Sequence, residues 1–245
     1  MKTEILYGFH PVTEAIKAQR RVVLEIFAAN VKPGKRLTDI ISLADSKKIP
    51  VSPISRDSLN KIAGTPATQG IGARVGAYPV CRLSDAIDRA WQNTEKPFFL
   101  LLDHILDPNN LGALVRTGLG FGVDGVLITK DRAALPTPAV SRVSAGALEH
   151  VQLIRIVNMV SAIEHLKAAG IWVLGMDRGK GRSILRGDLT GPVAIIIGGE
   201  EKGIRPLVKK HCDDLIALPQ QGQLNSFNAS VAGGIVMFEI FRQRQ

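Results

Sequence analysis

V-A-I-I-I-G-G-E-E-K-G-I-R-P (residues 193–206) and L-P-Q-Q-G-Q-L-N-S-F-N-A-S-V-A-G-G-I-V-M (residues 218–237) are the segments whose reading decides the fold. The first opens with five apolar residues, 193–197, and stops at Gly198-Gly199. That pattern predicts a buried strand delivering its C-terminal end into a glycine turn. Glu200 follows at once, and residues 203–210 read as a short helix. A second short strand, 215–218, ends at Pro219. Asn225, Ser226, Asn228 and Ser230 then crowd into the start of the last helix. Side chains of that kind cap the unpaired N–H groups of a first helical turn. Equally, two strand ends, two glycine-bearing loops and an amide- and hydroxyl-rich helix start can line a small-molecule pocket at a sheet edge. Both readings stay open on this stretch alone.

Working outward, 245 residues suggest one large domain or two, and 45% hydrophobic residues supply a substantial core. The net charge of +9 favours a polyanionic partner, because Lys and Arg drive nucleic-acid affinity by releasing counterions from phosphates. Cys81 and Cys212 stand far apart without His or Cys neighbours, which argues against a disulfide or a metal site. The start, M-K-T-E-I-L-Y-G-F-H, holds no long apolar core. No apolar run approaches the roughly 20 residues of a membrane helix. A soluble, cytoplasmic protein is expected, with no membrane and no metal partner.

Residues 1–78 alternate between helix and strand: helix to residue 19 after Pro11, strand 22–28, helix 37–47, strand 51–54, helix 58–63, strand 71–77. This predicts a small α/β domain. Residues 1–79 hold 12 Lys/Arg against 6 Asp/Glu, two thirds of the net charge in a third of the chain. The basic groups fall at Lys17/Arg20/Arg21, Lys32/Lys35/Arg36 and Lys47/Lys48, and the asymmetry points to an RNA-contacting module. Residues 79–96 read as a linker around a short helical pattern, 83–91.

Residues 97–245 form the second predicted domain, again α/β, with a mainly parallel sheet and helices on both faces. Strand 98–102 ends in Asp103, and D-P-N-N-L-G-A-L-V-R-T-G-L-G-F-G (107–122) follows. Asp-Pro-Asn-Asn is turn chemistry, and Asn110 is a candidate cap of a helix beginning near Leu111. Arg116, among Leu114, Val115 and Thr117, needs an ion pair, a phosphate or a developing anion to face. The G-L-G-F-G run closes a helix where a dinucleotide-binding loop would open one. Strands are further predicted at 123–129, 151–154 and 171–176, and helices at 140–147 and 161–169. No phosphate-loop, H-E-x-x-H or G-x-S-x-G motif is present.

Three segments together resemble the SpoU (TrmH-like) RNA ribose 2′-O-methyltransferases of the SPOUT superfamily. They are D-P-N-N-L-G-A-L-V-R with Asn110 and Arg116, I-I-I-G-G-E-E-K-G with Gly198 and Glu200, and L-P-Q-Q-G-Q-L-N-S-F-N-A-S-V-A with Leu218, Ser226, Phe227, Asn228 and Ser230. Y-G-F-H-P-V near the start and T-Q-G-I at 68–71 resemble the family's N-terminal substrate-binding domain. Relatives often carry a His before Gln-Gly where this chain has Thr68. The layout is most similar to bacterial enzymes that methylate a guanosine ribose in 23S ribosomal RNA. The resemblance implies a deep trefoil knot in residues 97–245, S-adenosylmethionine held in the knotted loops, and a homodimer with active sites near its interface. Ile235, Val236, Phe238 and Phe241 of the last helix are candidates for that interface or for ordinary core. Arg116 is implied as the group that stabilises the attacking ribose oxygen, Asn110 as its positioner or the ribose's, and Glu200 as the holder of Arg116 or of the loop. Ser226 and Asn228 would shape the pocket, and backbone near Gly198, Leu218 and Phe227 would hold the cofactor. The alternatives are a transfer RNA or antibiotic-resistance methyltransferase of the same family, or a non-catalytic RNA-binding protein on the same fold.

Overall fold

The structure is a computed structural model that describes residues 3–30, 34–178, 181–221 and 227–245. In chain order its elements are β1 (Thr3–Tyr7), α1 (Phe9–Ala18), β2 (Val23–Ala29), α2 (Lys35–Ser46), β3 (Val51–Ile54), α3 (Arg56–Ala63), β4 (Ile71–Gly76), α4 (Leu83–Asn93), β5 (Phe98–Asp103), α5 (Pro108–Gly120) and β6 (Gly125–Thr129). There follow α6 (Pro138–Val143), β7 (Leu153–Ile156), α7 (Met159–Ala168), β8 (Trp172–Met176), β9 (Arg182–Ser183), β10 (Val193–Gly198), α8 (Pro206–His211), β11 (Asp214–Ala217) and α9 (Ala229–Gln243). Strand β1 escaped the sequence reading. Its charged and polar residues Thr3 and Glu4 interrupt the apolar pattern, and its partner β4 lies more than 60 residues away.

Packing divides the chain into two units that are not contiguous in sequence. Residues 1–79 pack with 135–150, and residues 80–134 with 151–245. The sequence reading had put 135–150 in the second domain and 79–96 in a linker. The first difference has an electrostatic cause. Arg21, buried, makes a bidentate pair with Glu149 at 2.8 Å through Nε and Nη2. Its Nη1 donates to Glu4, and Ser141 Oγ donates to Glu149 at 2.7 Å. The Tyr78 hydroxyl donates to the Leu148 carbonyl. The second has a hydrophobic cause: Ala86, Ile87 and Ala90 of α4 sit in the second unit's core.

The first unit carries a mixed sheet in the order β1-β4-β2-β3, with β2 and β3 parallel and the other pairs antiparallel. Helices α1 and α2 cover it through Val12, Ile16 and Ile40. The Y-G-F-H and T-Q-G-I segments meet here. Gln69 Oε1 accepts from Phe9 N at 3.2 Å, and Gly8 N donates to the Ile71 carbonyl. Of the predicted basic contacts, Lys35, Arg36, Lys47 and Lys48 are exposed. Arg21 is consumed by its buried pair and is withdrawn from that list, and Lys32 lies outside the described residues.

The second unit is a seven-stranded, all-parallel sheet in the order β7-β6-β5-β10-β8-β11-β9. The central strands β5 and β10 are continuous apolar runs because both faces of a parallel sheet are covered. Helix α9 lies close against α5 and β10, where a Cβ on Gly233 would come within 2.4 Å of Leu114 and 2.5 Å of Ile197. Strand β10 therefore opens its C-terminal end between β5 and β8, beside the starts of α5 and α9. No described helix is long and apolar enough to cross a membrane.

Candidate active site

Helix α5 begins three residues earlier than its sequence suggests. Asp107, not Asn110, is the cap: its carboxylate accepts from Asn109 N at 2.9 Å, and Pro108 takes the first helical position. Asn110 is thereby released from capping. Its side chain turns to the loop after β10, where its Nδ2 donates to Glu200 Oε1. From the other side, Asn228 caps α9 through Oδ1, accepting from Ser230 N at 2.9 Å and Val231 N at 3.3 Å. The same residue's Nδ2 donates to Glu200 Oε1 at 2.9 Å and to Asn110 Oδ1 at 3.1 Å. Asn228 is thus the cap of α9 through one end of its amide and a partner of Glu200 and Asn110 through the other. Residues 110, 200 and 228 thus converge from three separate segments onto one carboxylate oxygen.

The turn that carries Glu200 requires glycine at its entry. A Cβ on Gly198 would lie 2.1 Å from the Gly203 carbonyl carbon. A narrow cleft runs along it at the ends of β8, β10 and β11, walled by Met176, Ile197, Leu218, Phe227, Ala229 and Ala232. Gly198, Glu200 and Asp177 also line it. Apolar walls of this kind are the usual lining of a small-molecule site. The predicted cofactor residues Gly198, Leu218, Phe227 and Asn228 are gathered at or beside this cleft, and Ser226 lies outside the described residues.

On the other side of Glu200 lies a roomier cavity of about 580 Å³, lined by Asn110, Asp107, His104, Arg132, Lys202 and Arg205 among others. None of His104, Arg132 and Arg205 stood out in the sequence. Arg205 is tied to Asp103, 102 residues away, and no spacing rule reveals such a pair.

Arg116 is placed differently. Six residues on from Asn110 it has risen about 9 Å and turned about 120° around α5. It is exposed and makes no hydrogen bond or ion pair with a described residue. Glu200 therefore holds the two asparagines here, not Arg116. Leu119, one turn on, is also exposed, and α9, which packs on α5 through Thr117 and Gly118, carries an exposed apolar stripe: Val231 (50% exposed), Ile235 (41%) and Phe238 (52%). Phe121 packs on Phe238 and Phe241 beside it. Val236, grouped with these residues in the sequence, is fully buried core instead.

A parallel α/β sheet whose strand ends gather two asparagines and a glutamate beside a narrow apolar cleft defines the class. Residues 97–238 match the SpoU rRNA methylase family, and residues 5–80 match RNA 2′-O ribose methyltransferase substrate binding. The chain belongs to the SpoU rRNA methylase family. It is 38% identical to the 23S rRNA (guanosine-2′-O-)-methyltransferase RlmB of Acinetobacter baylyi, over 99% of this chain and 98% of that one. It is 37% identical to the putative TrmH family tRNA/rRNA methyltransferase YacO of Bacillus subtilis, over 98% and 96%. A protein of Synechocystis sp. named as an uncharacterized tRNA/rRNA methyltransferase is 38% identical over 98% of this chain, and the chain spans 63% of its length. Among solved structures, the SpoU methyltransferase AviRb of Streptomyces viridochromogenes, in complex with AdoMet, shares the fold. Its TM-score is 0.82 at 23% identity, covering 99% of this chain and 90% of that one.

Proposed function

We propose that this chain transfers a methyl group from S-adenosylmethionine to the ribose 2′-hydroxyl of a guanosine in 23S ribosomal RNA. The observation that carries the reading is the convergence of Asn110, Glu200 and Asn228 between a narrow apolar cleft and a larger open cavity. The full-length likeness to enzymes named for that reaction supports it. Gly198, Leu218, Phe227, Ser226 and Asn228 would hold the cofactor, which supplies an electrophilic methyl on a sulfonium.

The chain's own residues then have three tasks. Glu200 holds the amides of Asn110 and Asn228 in one orientation, so the cleft and the cavity keep a fixed relation. Arg116 stabilises negative charge as the 2′-oxygen loses its proton and bonds the methyl. A fixed donor of that kind contributes roughly 10²–10³ in rate. A guanidinium does not deprotonate in proteins, so the proton leaves to solvent or to an RNA phosphate. Alignment of oxygen and methyl supplies much of the remainder.

Arg116 reaches a reacting group by homodimerisation: the stripe Val231, Ile235 and Phe238 pairs with its copy, and the exposed Arg116 of α5 completes a site there. Phe238→Glu is expected to yield monomers by sedimentation and to lose methyl transfer; an active monomer overturns this arrangement. The first unit, residues 1–79 with 135–150, is the RNA-binding unit, using the exposed cations of α2 and the turn after it. The second unit, residues 80–134 with 151–245, is the knotted methyltransferase unit, and the protein works in the cytoplasm. The deciding experiment supplies labelled S-adenosylmethionine with unmodified 23S rRNA and, separately, bulk transfer RNA, mapping the site by resistance to alkaline cleavage. Label on a 23S guanosine ribose is expected. Label on transfer RNA alone, which the two tRNA/rRNA-named relatives make the second reading, would keep the chemistry and replace the substrate. Cofactor binding with no label on either RNA would leave an RNA-binding protein without turnover.

A further inference from the structure

A ridge of three donors separates the cavity beside Glu200 from a second one. His104, Arg132 and Arg205 line the first cavity and also a neighbouring one of about 440 Å³ beyond the ends of β5, β6 and β7. Asp103, the last residue of β5, is fully buried. Both its oxygens are committed to Arg205: Oδ2 accepts from the backbone N at 3.0 Å, and Oδ1 from Nε at 2.9 Å and Nη2 at 2.8 Å. One edge of the guanidinium is thus locked, while its Nη1 has no partner among the described residues and the side chain remains 41% exposed. Arg132 makes no hydrogen bond or ion pair with a described residue. Its backbone is held at φ 54° and that of His104 at φ 63°, left-handed conformations that non-glycine residues adopt rarely. Backbone of this kind clusters where a site holds side chains in place.

A pre-oriented guanidinium beside a second, unpaired one matches a phosphate, whose oxygens accept paired N–H donors. We propose that Arg132 and Arg205 bind an RNA phosphate, and that it is the 3′-phosphate of the nucleotide being methylated. That phosphate sits on the ribose carbon next to the 2′-hydroxyl, so fixing it fixes the nucleophile beside Asn110 and Glu200. Asp103 is the positioning residue that presets Arg205. The assignment to the 3′-phosphate rests on the methyl-transfer reading; phosphate binding itself does not.

Two measurements separate these levels. Binding of a fluorescent 23S fragment is followed from low to high salt with wild type, Arg132→Ala, Arg205→Ala and Arg205→Lys, with melting temperature and S-adenosylmethionine affinity as folding controls. Each Ala variant is expected to weaken binding about tenfold and to lower the log–log salt slope by about 1, while Arg205→Lys keeps the slope. Unchanged slopes in both Ala variants overturn phosphate binding, whether or not the RNA is ever methylated. Methyl transfer is then compared on the native fragment and on one with an uncharged methylphosphonate at the 3′ position. The wild type is expected to lose about tenfold on the methylphosphonate, and the Ala variants to lose nothing more there. Fully additive losses overturn the 3′ assignment. Arg205→Lys is expected to lower kcat about tenfold with KM unchanged, because the charge persists without the fork that Asp103 orients; wild-type kcat would remove Asp103 from its positioning role.

Discussion

Asn228 performs two jobs with the two ends of one amide, and a graded set of substitutions separates them. Asn228→Ala removes the cap of α9, which is worth about 1 kcal/mol. For a unit of this size that lowers the melting temperature by about 2–4 °C. It also removes the Nδ2 donor shared by Glu200 and Asn110. Hydrogen bonds to a charged acceptor contribute about 1.5–3 kcal/mol when buried, and the exposure of Asn228 brings this to the lower end. About 1.4 kcal/mol corresponds to tenfold in rate. Asn228→Ser keeps a side-chain oxygen to cap α9 and loses the amide Nδ2, its shorter hydroxyl falling short of Glu200 and Asn110. It is expected to melt within about 1 °C of wild type and to transfer methyl about tenfold more slowly. Asn228→Asp keeps the cap and sets a second carboxylate beside Glu200, so it should be slower still. The assay is single-turnover methyl transfer at saturating cofactor alongside thermal melting. A Ser variant with wild-type turnover and cofactor affinity would refute the claim that Glu200, Asn110 and Asn228 form one functional unit.

Arg116→Ala should reduce turnover by roughly 10²–10³ with little change in cofactor affinity, and near-normal methylation at saturating cofactor would exclude its charge-stabilising role. Arg21→Ala strands Glu149, whose side chain is 2% exposed, and should destabilise the first unit by about 3–5 kcal/mol in denaturant titration; a loss under about 1 kcal/mol would show that the pair is dispensable. Gly198→Ala forces a Cβ into the backbone of Gly203 and should abolish cofactor binding, so a variant that binds with wild-type affinity contradicts the tight turn. Burial, aided by Asp213, pushes the Cys212 thiol up to about 11, and burial raises Tyr78 to about 12. The unfolded chain releases these protons first, so stability should be level below about pH 8.5 and fall as pH rises toward 11. Native Cys212 should resist alkylation at pH 8, and rapid labelling in the folded protein would count against that environment.

How much was legible depended on how local the cause was. The strands at 98–103 and 193–198 could be read because a parallel strand covered on both faces must be apolar throughout. The capping asparagine at 228 could be read because a helix start exposes N–H groups within three residues of it. Asn110 was misassigned as a cap because Asp107 and Pro108 compete for the same position three residues earlier, and only helix geometry chooses between them. By itself the sequence determined the α/β class, the glycine turn after β10 and the identity of the residues around it. Tertiary structure alone decided that Asn110, Glu200 and Asn228 share one oxygen, that Arg205 is locked by Asp103, and that residues 135–150 pack with the first unit through Arg21 and Glu149. The physical reason is common to all three. Each is a hydrogen bond or ion pair between groups 28 to 128 residues apart, and its strength depends on distances of about 3 Å that no one-dimensional spacing encodes.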